Sequence, residues 1–512
     1  MLGRSFYWQN KKKNTEENFS LEIGTNLTEN LSNIRKMLED PSDLVIREFT
    51  IGKANHRIAI VYIDGIVNNI YIHDHIMEDL KNASDLPVDK QELFDAVDKE
   101  VITVTGIERG HSLDDVSNAI LSGNTVFYLD GVDQVLIMDT VGGESRAIEE
   151  PRSESLIRGS KEGFIENIRT NTMMIRRYIA DPNLRFSTYK VGRRSKKDLV
   201  VAYMDGIVNP DMVNEVKRRL ETIDIDDAPE SGYIEQWIED SFLSPFPQIL
   251  NTERPDKASE ALLKGKVVIL LDRTPFVLIA PATFGSLLQS PEDYYWRWSL
   301  GTLVRLLRYL GAFISVFLPA LYIALVSYHP GLIPSDLAFS IAASRDEVPF
   351  PPVVEALIMT ATMELLREAG LRLPTAIGQT IGIVGGLVIG EAAVSAGIVS
   401  PVMVIVVALN AIASFALPSY SIAITFRILQ FGLMAAAAVF GLYGIILCYI
   451  MINIHIVNLM SFGVPYSTPF APSFMNDWKD LVLRAPIAMM KRRPVYMQTN
   501  DKKLMNKGER KQ

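Results

Sequence analysis

The sequence predicts an α+β cytoplasmic region of two duplicated subdomains, followed by an all-α polytopic membrane domain of four to six spans. Three observations carry this reading. Charge is unevenly spread along the 512 residues: 1–308 hold 37 Lys/Arg and 49 Asp/Glu, 309–476 hold 4 and 7, and 477–512 hold 10 and 4. An acidic, an almost uncharged and a basic part in succession have the layout of a soluble domain, a membrane domain and a cytoplasmic tail. Three runs lack Lys, Arg, Asp and Glu altogether, namely 309–335 (27 residues), 392–426 (35) and 428–476 (49). Finally, "RIAIVYIDGIVNN" and "DLVVAYMDGIVNP" say nearly the same thing in a chain that otherwise does not repeat.

Residues 1–40 read as a disordered tail. The opening "MLGRSFYWQNKKKNTEEN" has no apolar core of signal-peptide length, so the hydrophilic part is expected to stay in the cytoplasm. The run Lys11–Lys13 reads as solvated rather than lipid-bound. A net charge of -9 disfavours nucleic acid as a partner, and the single cysteine, Cys448, excludes an intrachain disulfide.

Residues 41–150 and 186–290 are the two α+β subdomains, joined by a linker helix within 151–185. Each holds a β-rich apolar run closed by Asp-Gly, Asp64-Gly65 and Asp205-Gly206, followed by a helix-compatible segment. A second pair of strands, "GNTVFYLDGVDQVLIMD" and "GKVVILLDRTPFVLIAP", lies about 60 residues further on. The offset is 141 residues for Asp64/Asp205 and 142 for Asp130/Asp272, which points to an internal duplication. Catalytic carboxylates would have to converge in one cleft, whereas these sit once per copy at strand ends, where Asp-Gly makes an ordinary turn. Arg273 replaces the later glycine in the second copy, which a phosphate-cradling loop would not tolerate. His73 and His75 point to different sides of a helix, His455 stands alone, and no P-loop or nucleophile elbow is present. No catalytic, cofactor or metal-binding residue is assigned, and the chain is not read as an enzyme.

In "GSKEGFIENIRTNTMMIRRYIADPN" the residues Phe164, Ile168, Ile175 and Ile179 share one helical face, stopped by Asp181-Pro182. Further on, "SPFPQILNTERPDKA" breaks regular structure, and Pro245, Phe246, Pro247, Gln248, Glu253, Arg254, Pro255 and Asp256 are read as a coupling loop, with an ordinary surface loop as the alternative.

Residues 291–308 form a juxtamembrane segment and 309–464 the transmembrane domain. A bilayer core of about 30 Å needs roughly 20 apolar helical residues. The best-defined spans are 309–328, 376–396, 401–417 and 424–461, the last long enough to break at "GLYG" from Gly441. Residues 351–369 either cross or lie along the interface. Arg297, Arg305 and Arg308 before the first span, and the basic tail 465–512, place both termini in the cytoplasm and favour an even number of crossings. Gly378, Gly382, Gly386 and Gly390 recur every fourth residue and form a row for close helix packing, with Gln379 and Glu391 at its two ends. An intramembrane carboxylate usually faces water, a partner or a pore, so Glu391 marks a pore mouth or simply the headgroup end of its helix.

The run "EEPRSESLIRGSKEGFIENIRTNTMMIRRYI", the strand end "YMDGIVNP", the stretch "SPFPQILNTERPDKASEALLKGKVVILLDRTPFVLIAPATF" and "SPEDYYWRW" resemble the A subunit of GerA-type spore germinant receptors. That wider family includes stage V sporulation protein AF, and the resemblance covers roughly residues 40–475. It implies a multi-pass protein of the spore inner membrane with a two-part cytoplasmic domain. It also implies a transporter-like, nutrient-binding B subunit and a lipoprotein C subunit as partners. The resemblance further implies a ring of A subunits, a pentamer in the family model, forming a nutrient-gated cation channel. A non-conducting scaffold or signal relay is the alternative, then a secondary transporter, a lipid-handling protein or a related sporulation protein of ion release.

Overall fold

The computed structural model describes residues 22–83, 86–104, 106–142, 150–151, 154, 156–372, 386 and 388–505. The chain divides into two compact units: Met1–Asp240 with Ile249–Pro281 and Arg492–Gln512, and Ser241–Gln248 with Ala282–Lys491.

The first unit holds two five-stranded sheets. In the first sheet β1 (Leu44–Ile51), β2 (His56–Ile63), β3 (Ile107–Gly110), β4 (Thr125–Leu129) and β5 (Val135–Met138) lie in the order β1-β2-β4-β5-β3. In the second, β6 (Leu184–Val191), β7 (Lys197–Met204), β8 (Leu250–Thr252), β9 (Val267–Leu271) and β10 (Val277–Ala280) lie in the order β6-β7-β9-β10-β8. Every pairing is antiparallel. The central strands β4 and β9 are buried at every position, as their unbroken apolar runs require of strands covered on both faces.

Each sheet is preceded by a helix that enters in the same way. Leu27–Leu38 is capped by Asn26 and buries Leu27, Leu31, Ile34 and Leu38, the spacing of one helical face. Ile168–Tyr178 is capped by Asn167, 141 positions later. Asn30 clamps the backbone of Gly24 with bonds of 2.9 and 2.6 Å, and Asn171 clamps Ile165 with the same two distances. The expectation of a disordered tail through residue 40 is therefore corrected for Leu27–Leu38, because this apolar face has a sheet to cover. The helix read as a linker between the subdomains occupies the entry position of the second one, and Phe164 precedes it rather than extending its face.

The second unit is helical: Trp298–Tyr328, Pro352–Arg372, Pro401–Phe415 and Tyr420–Asn458, with residues 388–395 also helical. Among the described residues, Trp298–Tyr328 and Tyr420–Asn458 are long and apolar enough to cross a membrane. The latter is interrupted at Gly441, whose φ of 59° and ψ of -139° leave the helical region. A Cβ at Gly441 would lie 2.9 Å from the His329 ring and 3.1 Å from Tyr328 Cβ, so the glycine answers both to the backbone turn and to the close approach. The two ends of the stretch return to one place: the Phe426 ring lies 6.5 Å from Phe284, and His455 stacks at 5.9 Å on Phe246, itself 6.4 Å from Phe284. Tyr420–Asn458 is thus a helical hairpin folded at Gly441, at the position the "GLYG" stretch suggests.

The other helices follow Trp298–Tyr328 along its length. Tyr322 meets Ser400 at 3.1 Å, and a Cβ on Gly311 would lie 3.1 Å from the Ala413 carbonyl, so Pro401–Phe415 runs antiparallel to it. Glu355 accepts from the Ser400 backbone at 2.9 Å, while Arg367 reaches Ser414 at 3.1 Å, so Pro352–Arg372 runs alongside Pro401–Phe415 in the same direction.

Candidate functional site

The strand-end turns behave as backbone devices. Gly65 has φ 93° and Gly206 φ 72°, the left-handed region that favours glycine. Asp64 accepts from the Asn69 side chain at 3.0 Å and lies 3.6 Å from Arg169. Asp205 instead lines an open cleft of about 850 Å³ with Arg35, Lys36, Glu48 and Arg185. The hairpin turn that carries Gly131 at φ 96° in the first subdomain carries Arg273 at φ 70° in the second, so the same backbone path is kept by a residue with a side chain. Gly131 donates to the Thr25 carbonyl at 2.7 Å and Arg273 to the Glu166 carbonyl at 2.8 Å, again 141 positions apart at the acceptor.

The stretch expected to be one irregular coupling loop separates into three pieces. Ser241–Gln248 belongs to the helical unit, Leu250–Thr252 is the edge strand β8, and Pro255–Leu263 is a helix with proline at its first position. This corrects the reading of 245–256 as continuous irregular structure; β8 was hidden because three residues are too short to show a period.

Within the helical unit, Phe246 is 2 % exposed and fills a nest formed by Phe284, His455 and Tyr466. The Pro245 carbonyl accepts from Thr425 at 2.5 Å and that of Pro247 from Tyr466 at 2.9 Å. The Gln248 side chain closes the loop on itself, donating to the Ser241 carbonyl at 2.7 Å and accepting from its N–H at 2.9 Å. Ser244 Oγ lies 2.8 Å from His455 Nε2. Thr425 in the hairpin and Tyr466 after it thus satisfy the two proline carbonyls.

Within the first unit, Arg254 is buried and holds Asp256 in a two-pronged pair at 3.0 and 2.8 Å. It also donates to the carbonyls of Glu154 and Ser160 at 3.2 and 2.8 Å. The Glu253 carbonyl accepts from Phe164 at 2.7 Å. Glu253–Asp256 therefore ties the segment before the second entry helix to the start of Pro255–Leu263.

Sequence reasoning missed a buried ion cluster at the start of Trp298–Tyr328. Asp293 accepts from Arg305 at 2.9 Å and from Arg308 at 3.0 and 3.1 Å. Arg305 also reaches Asp480 at 3.0 Å, and Asp480 accepts from the Tyr294 hydroxyl at 2.6 Å. The Tyr294 ring lies under the guanidinium groups of both Arg305 and Arg484, at 5.4 and 5.7 Å. Arg305 and Arg308 are thus neutralised ligands of a structural knot rather than free surface cations facing headgroups. Acidic residues flanking the apolar run on both sides, in "SPEDYYWRW" and "NDWKDLVLR", are the signal that could have exposed it.

Of the glycine row, Gly378 and Gly382, with Gln379, lie outside the described residues. A Cβ on Gly390 would lie 3.4 Å from Val404, ordinary contact, and one on Gly386 would meet none of the described residues within 4 Å. Glu391 is exposed in the last turns of its helix, which ends at Gly397 with φ 63°. It has no hydrogen bond or ion pair among the described residues. By contrast Glu355 pairs with Arg345 at 2.9 Å, Glu364 with Arg367 at 3.0 Å and Arg427 at 2.9 Å, and Glu368 with Arg372 at 2.6 Å. Asn410 and Gln430 are hydrogen-bonded to each other inside the bundle.

The profile of the family described as "Bacillus/Clostridium GerA spore germination protein" matches residues 32–496. The chain is 49% identical to spore germination protein GerLA of Bacillus cereus, over 94% of this chain and 97% of that protein. It is 44% identical to spore germination protein KA of Bacillus subtilis (strain 168), over 95% of this chain and 90% of that protein. Among solved structures, the N-terminal domain of the A subunit of the Bacillus megaterium spore germinant receptor GerK3 aligns with a TM-score of 0.41 and 37% identity, covering 51% of this chain and 97% of that one. The chain therefore belongs to the GerA family of spore germination proteins.

Proposed function

We propose that this chain is the A subunit of a nutrient-sensing spore germination receptor and forms its nutrient-gated cation channel as a homo-oligomeric ring. Glu391 carries this reading: the three carboxylates of Pro352–Arg372 are paired within the chain, whereas Glu391 is left exposed and without a partner among the described residues. A charged group in a membrane segment needs water or a counter-charge, and a ring of identical subunits would supply a water-filled axis. The packing directions above, with residues 388–395 as one further segment, support six crossings and both termini in the cytoplasm. Pro352–Arg372 is then a span rather than an interfacial helix. The shared strand order, entry helices and 141-residue offset support an origin of the soluble unit by internal duplication. The partners are a transporter-like B subunit that binds the nutrient and a lipoprotein C subunit, and the site of action is the spore inner membrane.

The test is single-channel recording of the purified subunit in bilayers, alone and with its B and C partners. Native conductance that loses cation preference in Glu391→Gln is the expected result. Silence in every combination despite confirmed assembly overturns it in favour of a non-conducting relay. That second reading has its own support in the Phe246 nest, which ties a loop leaving the soluble unit to both ends of the hairpin. Protease added to the outer face of sealed vesicles should spare residues 1–300, and digestion there would reverse the orientation.

A further inference from the structure

The two sheet-bearing subdomains end differently, and the difference exposes a role for residues 492–505. In the first, the chain leaving β5 closes the edge beside the Asp-Gly turn: Asn68 donates to the Thr140 carbonyl at 2.9 Å, and Gly142 donates to the Ile66 carbonyl at 3.0 Å. Val141 packs over Gly123, with its methyl 3.3 Å from where a Cβ would stand. The second subdomain cannot do this. After β10 its chain passes into the helical unit, where Ala282 donates to the Gln248 carbonyl at 3.2 Å and to Ser461 Oγ at 3.1 Å.

The place left open is filled by residues 499–501. Asn500 donates to the Ile207 carbonyl at 3.0 Å and Asp501 to that of Gly206 at 3.2 Å, while the Thr499 methyl sits over Gly265. Ile207 stands 141 positions after Ile66 and Gly265 stands 142 after Gly123. Thr499 and Asn500 thus do for the second subdomain what Val141 and Gly142 do for the first: a β-branched side chain on the glycine, then one N–H to the turn carbonyl.

Arg493 pins the segment from behind. It is 9 % exposed and donates to the Leu263 carbonyl at 2.8 Å, to the Asp501 carboxylate at 2.6 Å and to the Lys503 carbonyl. Met497 and Thr499 are 1 % and 3 % exposed. A solvated tail would show neither the burial nor this convergence of carbonyls on one guanidinium.

We infer that the second soluble subdomain is an open module with a docking groove for an extended segment, formed by Gly206, Ile207, Leu263 and Gly265, and that residues 492–505 of this same chain are its occupant. The chain leaves this subdomain at Pro281 and returns to it at Arg492, so one module holds both ends of the helical stretch between them. The inference stands whether or not the helical unit conducts ions.

The test is amide hydrogen exchange on the full-length protein and on a chain ending at Lys491, both in lipid vesicles. Exchange at residues 205–209 and 262–267 should quicken at least tenfold in the shortened chain. The matching segments of the first subdomain, 64–68 and 121–125, should not change. A synthetic peptide of residues 492–505 should restore the protection. Equal protection in the two chains overturns the inference. If the shortened chain is not recovered, Asn500→Pro, which removes the N–H, is compared with Asn500→Ala, which keeps it. Faster exchange in the proline variant alone supports the groove, and no difference between the two refutes it.

Discussion

The two five-stranded subdomains are built to one plan and differ in how each is completed. Both place five strands in the same order behind an Asn-capped helix. Arg35 and Arg176 hold the same position in those helices, 141 residues apart, but not the same surroundings. The Arg35 side chain is 54% exposed and lies 3.9 Å from Asp40, whereas that of Arg176 is 1% exposed, grips Asp43 at 2.9 and 3.2 Å, and covers the Phe186 ring at 4.8 Å. The helical layers differ as well. The first subdomain uses short helices with wide turns at His73–Met77 and Val97–Val101, and the second uses the regular Pro210–Glu221. Apolar strands thus preserve the plan, while position relative to the neighbouring module decides which polar residue becomes structural.

Substitutions at matched positions turn this comparison into measurements. The largest effect is expected at the arginine pair. Arg176→Ala leaves the Asp43 carboxylate without its partner and should cost about 3–5 kcal/mol, whereas Arg35→Ala should cost less than about 1 kcal/mol. Denaturant unfolding of the two variants checks this, and equal losses would break the comparison. The helix caps should behave alike: Asn26→Ala and Asn167→Ala should each cost about 1 kcal/mol, because each side chain accepts from two backbone N–H groups. A cost at one site only would show that the entry helices are not equivalent. At the hairpin turns the expected sign is opposite to a normal glycine substitution. Arg273→Gly should stabilise by up to about 1 kcal/mol, since Arg273 occupies a positive φ that glycine adopts freely.

The smallest effect is a dependence on pH confined to the second subdomain. Glu235 and Glu239 lie one helical turn apart and are both pushed up to about 7, first by burial and then by neighbouring carboxylates. Their folded values lie above the ordinary 4.5, so the stability from the protonated forms is complete below about pH 4.5 and lost as pH rises through about 7. Hydrogen exchange of the helix Ser231–Ile238 should therefore slow between pH 7.5 and 5 after correction for intrinsic rates. Glu235→Gln should reduce that change.

Much of this plan could be read before the structure. The apolar runs of β2, β4, β7 and β9 and the break at Gly441 were visible because a strand buried on both faces, or a glycine amid 49 uncharged residues, has few other uses. The entry helix Leu27–Leu38 was equally available from Leu27, Leu31, Ile34 and Leu38, but charged neighbours hid its face. Of the candidate site, Phe246 and Gln248 are anchored inside the helical unit, and of the glycine row Gly390 lies in ordinary contact with Val404. Gly311, Gly441 and Gly444 sit against neighbouring backbone or side chains. The Asp293 cluster and the Thr499–Asp501 contact were illegible for a physical reason. The first joins residues nearly two hundred positions apart, and the second is made by backbone N–H groups that every residue except proline possesses.

The docked C-terminal segment has a consequence for how the protein is made. Synthesis runs from the N-terminus, so the first soluble subdomain is complete as soon as Gly142 emerges from the ribosome. The second must wait, with the Ile207 carbonyl and Gly265 uncovered, until residues 499–501 have been translated, after the described helices of the second unit. Its closure then follows synthesis of the helical stretch, so a chain cut short before Arg492 would leave the Ile207 carbonyl and Gly265 uncovered.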